Sequence, residues 1–237
     1  MVVVGFDTAT ADTAVCAARD GEVLHESLLG LSVEGKPRHA TVLLEGVERA
    51  VAAAGGWDEV GLIAVGLGPG SFTGVRIGIA TARGLAASTG LPVAGVCTLD
   101  AIGRALREGD GGGTDCLAVL DARRGEVFAA LYSGATAERL WAPLVSSPAD
   151  LVERVAELPR PPRAAGSGAL RFRQELTRRG VEIPPDDADP LHRVAARHIC
   201  ALAAAEKAEE AGPPAPIYLR PPDAVRWHER DTFPTAE

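Results

Sequence analysis

Val2-Val3-Val4-Gly5-Phe6-Asp7 opens the chain, and Cys116-Leu117-Ala118-Val119-Leu120-Asp121 repeats its pattern. Each is a short apolar run ending on an acid, followed by a turn: Thr8-Ala9-Thr10-Ala11-Asp12 in the first case, Ala122-Arg123-Arg124-Gly125 in the second. A further β-like run follows each turn, Thr13 to Ala18 and Glu126 to Tyr132. In the first half Asp20-Gly21 is a two-residue hairpin signal leading into Glu22 to Leu29, because such pairs tolerate the positive φ of a tight hairpin turn. The chain therefore opens as an antiparallel meander whose grammar returns in the second half. A doubled α/β unit of this kind implies two domains facing a central cleft.

The segments between the hairpins read as helices and buried strands. From Arg38 to Ala54 the residues Ala40, Leu43, Leu44, Val47, Ala50, Val51 and Ala54 recur at helical spacing, and Gly55-Gly56 stops the run. Leu62 to Leu67 is a buried strand, Phe72 to Ser88 a helix, Pro92 to Val96 a strand and Leu99 to Arg107 a helix. Gly109 to Gly113 reads as a linker between a domain at 1–108 and another at 114–219. Proline-rich connections, Leu158 to Pro162 and Ile183 to Asp187, interrupt the second half, whose last helix is expected from about Pro190 to Ala211. Residues 220–237 are polar and aperiodic and are expected to form a disordered tail.

Composition narrows the function. The chain has 237 residues, 46% of them hydrophobic, enough for a sizeable core. Its net charge is −8, and Lys36 and Lys207 are its only lysines. Holding nucleic acid unaided needs a basic face, so a free-standing nucleic-acid binder is disfavoured. Cys16, Cys97, Cys116 and Cys200 are far apart without a CxxC pair, and read as buried small hydrophobes of a reducing compartment. No signal-like start and no apolar run of about 18 residues is present, so the expected location is cytoplasmic, away from membranes.

The most distinctive stretch is Gly68-Pro69-Gly70-Ser71-Phe72-Thr73-Gly74-Val75-Arg76-Ile77-Gly78-Ile79-Ala80. It passes from strand to helix, where free N–H groups and the helix dipole favour anions. It nevertheless lacks the Walker lysine, fails GxGxxG at Ser71 and Thr73, and fails the GxSxG elbow at Pro69 and Thr73. Packing or partner docking is therefore preferred to phosphate binding, with Gly68 and Gly70 supplying unusual φ and Ser71 or Thr73 the N-cap. Gly74, Gly78, Ala82 and Ala86 fall every four residues as one smooth face. A helix-interior glycine costs about 1 kcal/mol against alanine. A backbone approaching closely, within the chain or from a partner helix, would compensate. Arg76 and Arg83 share another face, with room for salt bridges.

Asp7 and Asp121 could hold Mg²⁺ across the cleft, but the preferred reading is that each acid caps its following turn. Both following turns are short of glycine where a phosphate would have to approach the backbone: Asp7-Thr8-Ala9-Thr10 has alanine there and Asp121-Ala122-Arg123-Arg124 two arginines. The five histidines, His25, His39, His192, His198 and His228, form neither HExxH nor HxxxH, which argues against metal ligation. His39, at a helix start, reads as a surface or interface residue.

The Gly68–Ala80 stretch closely resembles the signature of the bacterial TsaB (YeaZ) family of tRNA threonylcarbamoyladenosine biosynthesis proteins, related to the glycoproteases. Supporting pieces are Phe6 to Thr10, Arg38-His39-Ala40, Gly95 to Leu99, Asp121 to Phe128 and Pro216 to Arg220. The resemblance implies two ribonuclease-H-like domains of the actin/Hsp70/sugar-kinase superfamily. It also implies a non-catalytic subunit, without cofactor or metal, that supports the catalytic paralogue TsaD and is joined by the ATPase TsaE. That assembly places a threonylcarbamoyl group on N6 of adenosine 37 in tRNAs reading codons that begin with A. The tRNA would be met indirectly, through the complex, and a homodimer is a further partner state. The family's dimer surface, carried onto the helices here, gives Arg38, His39, Leu43, Gly74, Arg76, Gly78 and Ala82 as partner-binding residues. On this expectation Gly78→Leu leaves the fold intact and weakens TsaD binding. The alternative functions are an active actin-like ATPase or kinase using Asp7 and Asp121 for Mg-ATP, and a metallopeptidase.

Overall fold

Alternation along β1 (Val2–Asp7) sets how the layers stack. Val2, Val4 and Phe6 pack into one core and Val3 into another, on the opposite face of the sheet. The structure, a computed structural model, describes residues 1–32, 35–110, 113–205 and 213–220.

β1 pairs antiparallel with β2 (Thr13–Arg19), which pairs antiparallel with β3 (Glu22–Leu29). The Asp20-Gly21 turn has φ of 50° and 89°, the two positive values such a hairpin needs. Helix α1 (His39–Ala54) ends on Gly55 in the left-handed conformation. It leads through a 3₁₀ turn (Trp57–Glu59) to β4 (Val60–Gly66), which lies parallel to β1. Helix α2 (Phe72–Thr89), β5 (Val93–Val96) and α3 (Thr98–Asp110) complete this half. The sheet order is β3-β2-β1-β4-β5.

The second half repeats the scheme. β6 (Cys116–Arg123) pairs antiparallel with β7 (Glu126–Tyr132) and parallel with β9 (Arg163–Ala165), while β8 (Arg139–Ser146) pairs with β7. The order β8-β7-β6-β9 is that of the first four strands of the other sheet. α4 (Pro148–Ala156) is the crossover between β8 and β9. α5 (Ser167–Arg171) and α6 (Arg173–Thr177) follow β9, and after a 3₁₀ turn (Pro190–His192) comes α7 (Ala196–Ala205). This doubled α/β meander agrees with the expected fold class, two halves built on one α/β scheme.

Three cores follow from the alternation. α1 and α2 cover one face of the first sheet, and α4 to α6 cover the outer face of the second. Between the two sheets lie α3 and α7, packed on Val3, Cys16, Leu62, Cys116, Leu120 and Tyr132. Val, Leu and Ala dominate both faces of the central strands, as expected for strands buried on both sides. All four cysteines are buried and none is in a disulfide.

Several elements depart from the sequence reading. It does not anticipate β8, α4 and β9, because Pro143, Pro148 and Pro162 mask their periodicity. The expected last helix is divided into the Pro190–His192 turn and α7. Its continuation to Ala211 lies outside the described residues, as do residues 221–237 of the expected tail. Arg220 is described, and its guanidinium donates to Glu126 at 2.7 Å. Within the expected linker, Gly109 belongs to α3, while residues 111 and 112 lie outside the described set.

Candidate functional site

The turn after β1 and the turn after β4 are locked together. Ser71 N–H donates to the Ala9 carbonyl at 2.7 Å, and the Thr8 hydroxyl donates to the Gly74 carbonyl at 2.7 Å. A Cβ at Gly70 would collide with the Ala9 carbonyl, and one at Gly74 with the Thr8 carbonyl. Gly70 is thus required for closeness rather than for an unusual φ, which belongs to Gly68 at 85°. Ser71 is the N-cap, accepting from Gly74 N–H at 3.3 Å. The Ser71 and Gly74 N–H donors at the start of α2 are thus taken by the chain itself.

Asp7 sits inside this lock, 1% exposed. Its carboxylate accepts from Ala9 N–H at 2.7 Å and from the Thr98 hydroxyl at 2.7 Å. Thr98 in turn accepts from Gly68 N–H at 3.1 Å. Gly66 leaves the space that the carboxylate fills. Burial pushes the Asp7 carboxyl above its usual range, and the Thr98 and Ala9 hydrogen bonds oppose that rise. Asp121 likewise accepts from the Arg123 N–H at 2.9 Å and pairs with Arg171 at 2.9 Å. Both acids therefore close their own turns, as the sequence favoured. Among the described residues no three His, Cys, Asp or Glu side chains converge in a metal-holding group.

The residues expected at a partner surface divide sharply by burial. Arg38 and Arg76 are exposed. His39, Leu43, Gly74, Gly78 and Ala82 are buried within the chain. His39 is 5% exposed, and its Nδ1 lies 2.8 Å from the Thr13 hydroxyl. Burial lowers its pKa. Leu43 belongs to the core under α1. The glycine face of α2 rests on β1 and its turn: a Cβ at Gly78 would lie 2.6 Å from Thr8 Oγ1. Gly78→Leu would consequently break the fold. The surfaces that α1 and α2 turn outward instead carry Ala40, Leu44, Phe72, Arg76 and Ala80, with Leu44 56% exposed.

Arg76 and Arg83, expected to make salt bridges, have another task in the structure. Arg76 Nε donates to the Tyr218 hydroxyl at 3.0 Å, and its guanidinium lies 3.8 Å from the Phe72 ring centroid. Tyr218 stacks on Phe72 at 5.3 Å. Arg83 donates to the Pro214 carbonyl at 2.7 Å, and Ile217 N–H to the Leu67 carbonyl at 2.9 Å. The segment 213–220 is therefore a strap across α2. Sequence reasoning misses it because its partners are separated by 142 residues in the Arg76–Tyr218 case.

The TsaD family model, described as tRNA N6-adenosine threonylcarbamoyltransferase, matches residues 34–209. The chain belongs to the TsaD family. Within that family it stands on the TsaB/YeaZ branch. YeaZ from Pseudomonas aeruginosa superposes with a TM-score of 0.72 at 27% identity, covering 92% of this chain and 99% of that one. An uncharacterised protein of Mycobacterium tuberculosis is 36% identical over 219 residues, 90% of this chain and 91% of the relative. The tRNA threonylcarbamoyladenosine biosynthesis protein TsaB of Escherichia coli is 39% identical over 134 residues, 56% of this chain and 55% of that protein. The match thus spans about half the length of the Escherichia coli protein. No helix among the described residues is long and apolar enough to cross a membrane.

Proposed function

We propose that this chain acts in the biosynthesis of threonylcarbamoyladenosine in tRNA, as a non-catalytic cytoplasmic subunit that docks on a catalytic TsaD protein and works with TsaE. The observation that carries this reading is the closed state of the β1 turn. A Mg-ATP enzyme would need Asp7 facing the cleft and free backbone N–H groups beside it for phosphate. Here Asp7 is hydrogen-bonded by Ala9 and Thr98, and Gly70 and Gly74 press the second turn onto Thr8 and Ala9.

The docking surface in this reading is the outer side of α1 and α2, with Leu44 and Phe72 as apolar contacts and Arg38 and Arg76 as flanking cations. Two such helices from each subunit make a four-helix contact, either with TsaD or in a homodimer. Gly74, Gly78 and Ala82 serve indirectly, by seating α2 on β1 so that this side is presented.

The test is co-purification of wild type and Leu44→Arg with TsaD and TsaE, followed by tRNA modification with and without this chain. Leu44→Arg is expected to fold and to lose TsaD capture, and omission of the chain is expected to abolish modification. Full modification without the chain, or ATP turnover by the isolated protein, would overturn the reading.

A further inference from the structure

A cavity of about 170 Å³ lies where α3, β7, β8 and α7 meet. Asp100, Gly103, Arg104 and Arg107 line one side of it, at the spacing that puts four residues on one helical face. Tyr132, Ala137, Arg139 and Leu202 close it from the other elements. Gly103 is required here, because a Cβ would collide with the Tyr132 ring.

The charges around this cavity do not cancel. Asp100 is fully committed: it receives the Tyr132 hydroxyl at 2.6 Å and Arg139 Nη2 at 2.7 and 2.5 Å on its two oxygens. These contacts fix Arg139 and leave its remaining N–H groups without a protein acceptor among the described residues. Arg104 Nε lies 2.9 Å from Glu108, which offsets one more cation. Arg107 has no carboxylate partner among the described residues, and its Nε is buried without an acceptor. A half-buried guanidinium left uncompensated inside a chain of net charge −8 is costly unless an anion meets it.

We propose that this cavity binds a small oxyanion of the phosphate or carboxylate class, with Arg107 as the receiving charge and Arg104 and Arg139 as flanking donors. Guanidinium groups suit both classes, since their planar donors match two oxygens at once. Size sets the limit: sites for drug-sized ligands run to about 300–1,000 Å³, so this cavity takes a small anion rather than a whole nucleotide. The proposal is independent of the docking reading, because none of the lining residues lies on α1 or α2.

The experiment titrates the full chain with inorganic phosphate and, separately, with malonate, by calorimetry and thermal shift at constant ionic strength set with chloride. Saturable binding of either anion is expected, and the better of the two identifies the class. Arg107→Gln is expected to weaken it at least tenfold while melting, without ligand, no lower than wild type. Arg107→Lys, which keeps the charge but loses the fork, is expected to fall between them, and the exposed Arg160→Gln to bind as wild type. No response to either anion beyond chloride would overturn the proposal, as would equal weakening by Arg107→Gln and Arg160→Gln.

Discussion

Gly74→Ala tests whether the glycines of α2 serve the fold. In an isolated helix the substitution stabilises by about 1 kcal/mol, because alanine loses less backbone entropy. Here the new Cβ would fall on the Thr8 carbonyl, a backbone atom that cannot swing aside as a flexible side chain could. Either α2 or the β1 turn must shift, a strain of about 1–3 kcal/mol. The shift also threatens the 2.7 Å bond from the Thr8 hydroxyl to the Gly74 carbonyl, worth about 1 kcal/mol. The balance is a net loss of about 2 kcal/mol, and for a chain of this size about 4–8 °C in melting temperature. Gly84 is the internal control, on the same helix, with no positive φ and nothing within 4 Å of where a Cβ would stand. Gly84→Ala should therefore melt about 2–4 °C higher than wild type. Thermal unfolding followed by circular dichroism reads both. If Gly74→Ala melts at or above wild type, or if the two variants shift in the same direction, the close approach of α2 to Thr8 is not what demands glycine.

Other consequences can be checked directly. His198 is buried, and its pKa is pushed down to about 4, chiefly by that burial, with Glu108 opposing the shift and Arg197 and Arg104 adding to it. The unfolded chain, with a histidine pKa of about 6.5, binds a proton that the folded chain refuses between those values. This contribution is intact above pH of about 6.5 and falls by up to about 3 kcal/mol as the pH drops toward 4. Urea midpoints across that range should show the slope and His198→Gln should flatten it; an unchanged slope in the variant would refute the assignment. Tyr218→Ala removes the stack on Phe72 and the bond from Arg76, and should cost about 1–2 kcal/mol. Limited proteolysis should then cut within 213–220 faster than in wild type, and equal rates would show that the strap is held without Tyr218. Asp7→Asn keeps an acceptor for Ala9 N–H but sets a donor-only NH₂ against the Thr98 hydroxyl, which donates to the second carboxylate oxygen. The lost bond, about 1 kcal/mol, opposes relief of the burial penalty that raises the Asp7 pKa. The melting temperature at pH 8 should therefore stay within about 4 °C of wild type, and a larger drop would mean that the carboxylate itself holds the turn.

Legibility in the sequence depends on distance along the chain. The hairpins are legible, because alternation, Asp20-Gly21 and Gly125 are local signals whose physics acts within a few residues. So are α1 and α2, whose apolar spacing and closing glycines, Gly55 and Gly90, are complete within one segment. The roles of Asp7 and Asp121 can be read correctly, since an acid accepting the N–H two residues on is also local. The orientation of α2 cannot. Its small-residue face predicts a close neighbour, and only the folded chain shows that this neighbour is Thr8 in the same molecule. The same limit hides the strap and the arginine-lined cavity, although Asp100, Gly103, Arg104 and Arg107 stand at helical spacing.

The repeated meander, the helices beside the first sheet and the family signature at Gly68–Ala80 are thus properties of the sequence alone. Folding settles which side of α2 faces outward, where Arg76 and Arg83 find their acceptors, and that Arg107 lines a cavity without a balancing acid. Periodicity specifies which residues share a face, whereas the partner of that face is set by contacts between segments far apart in the chain.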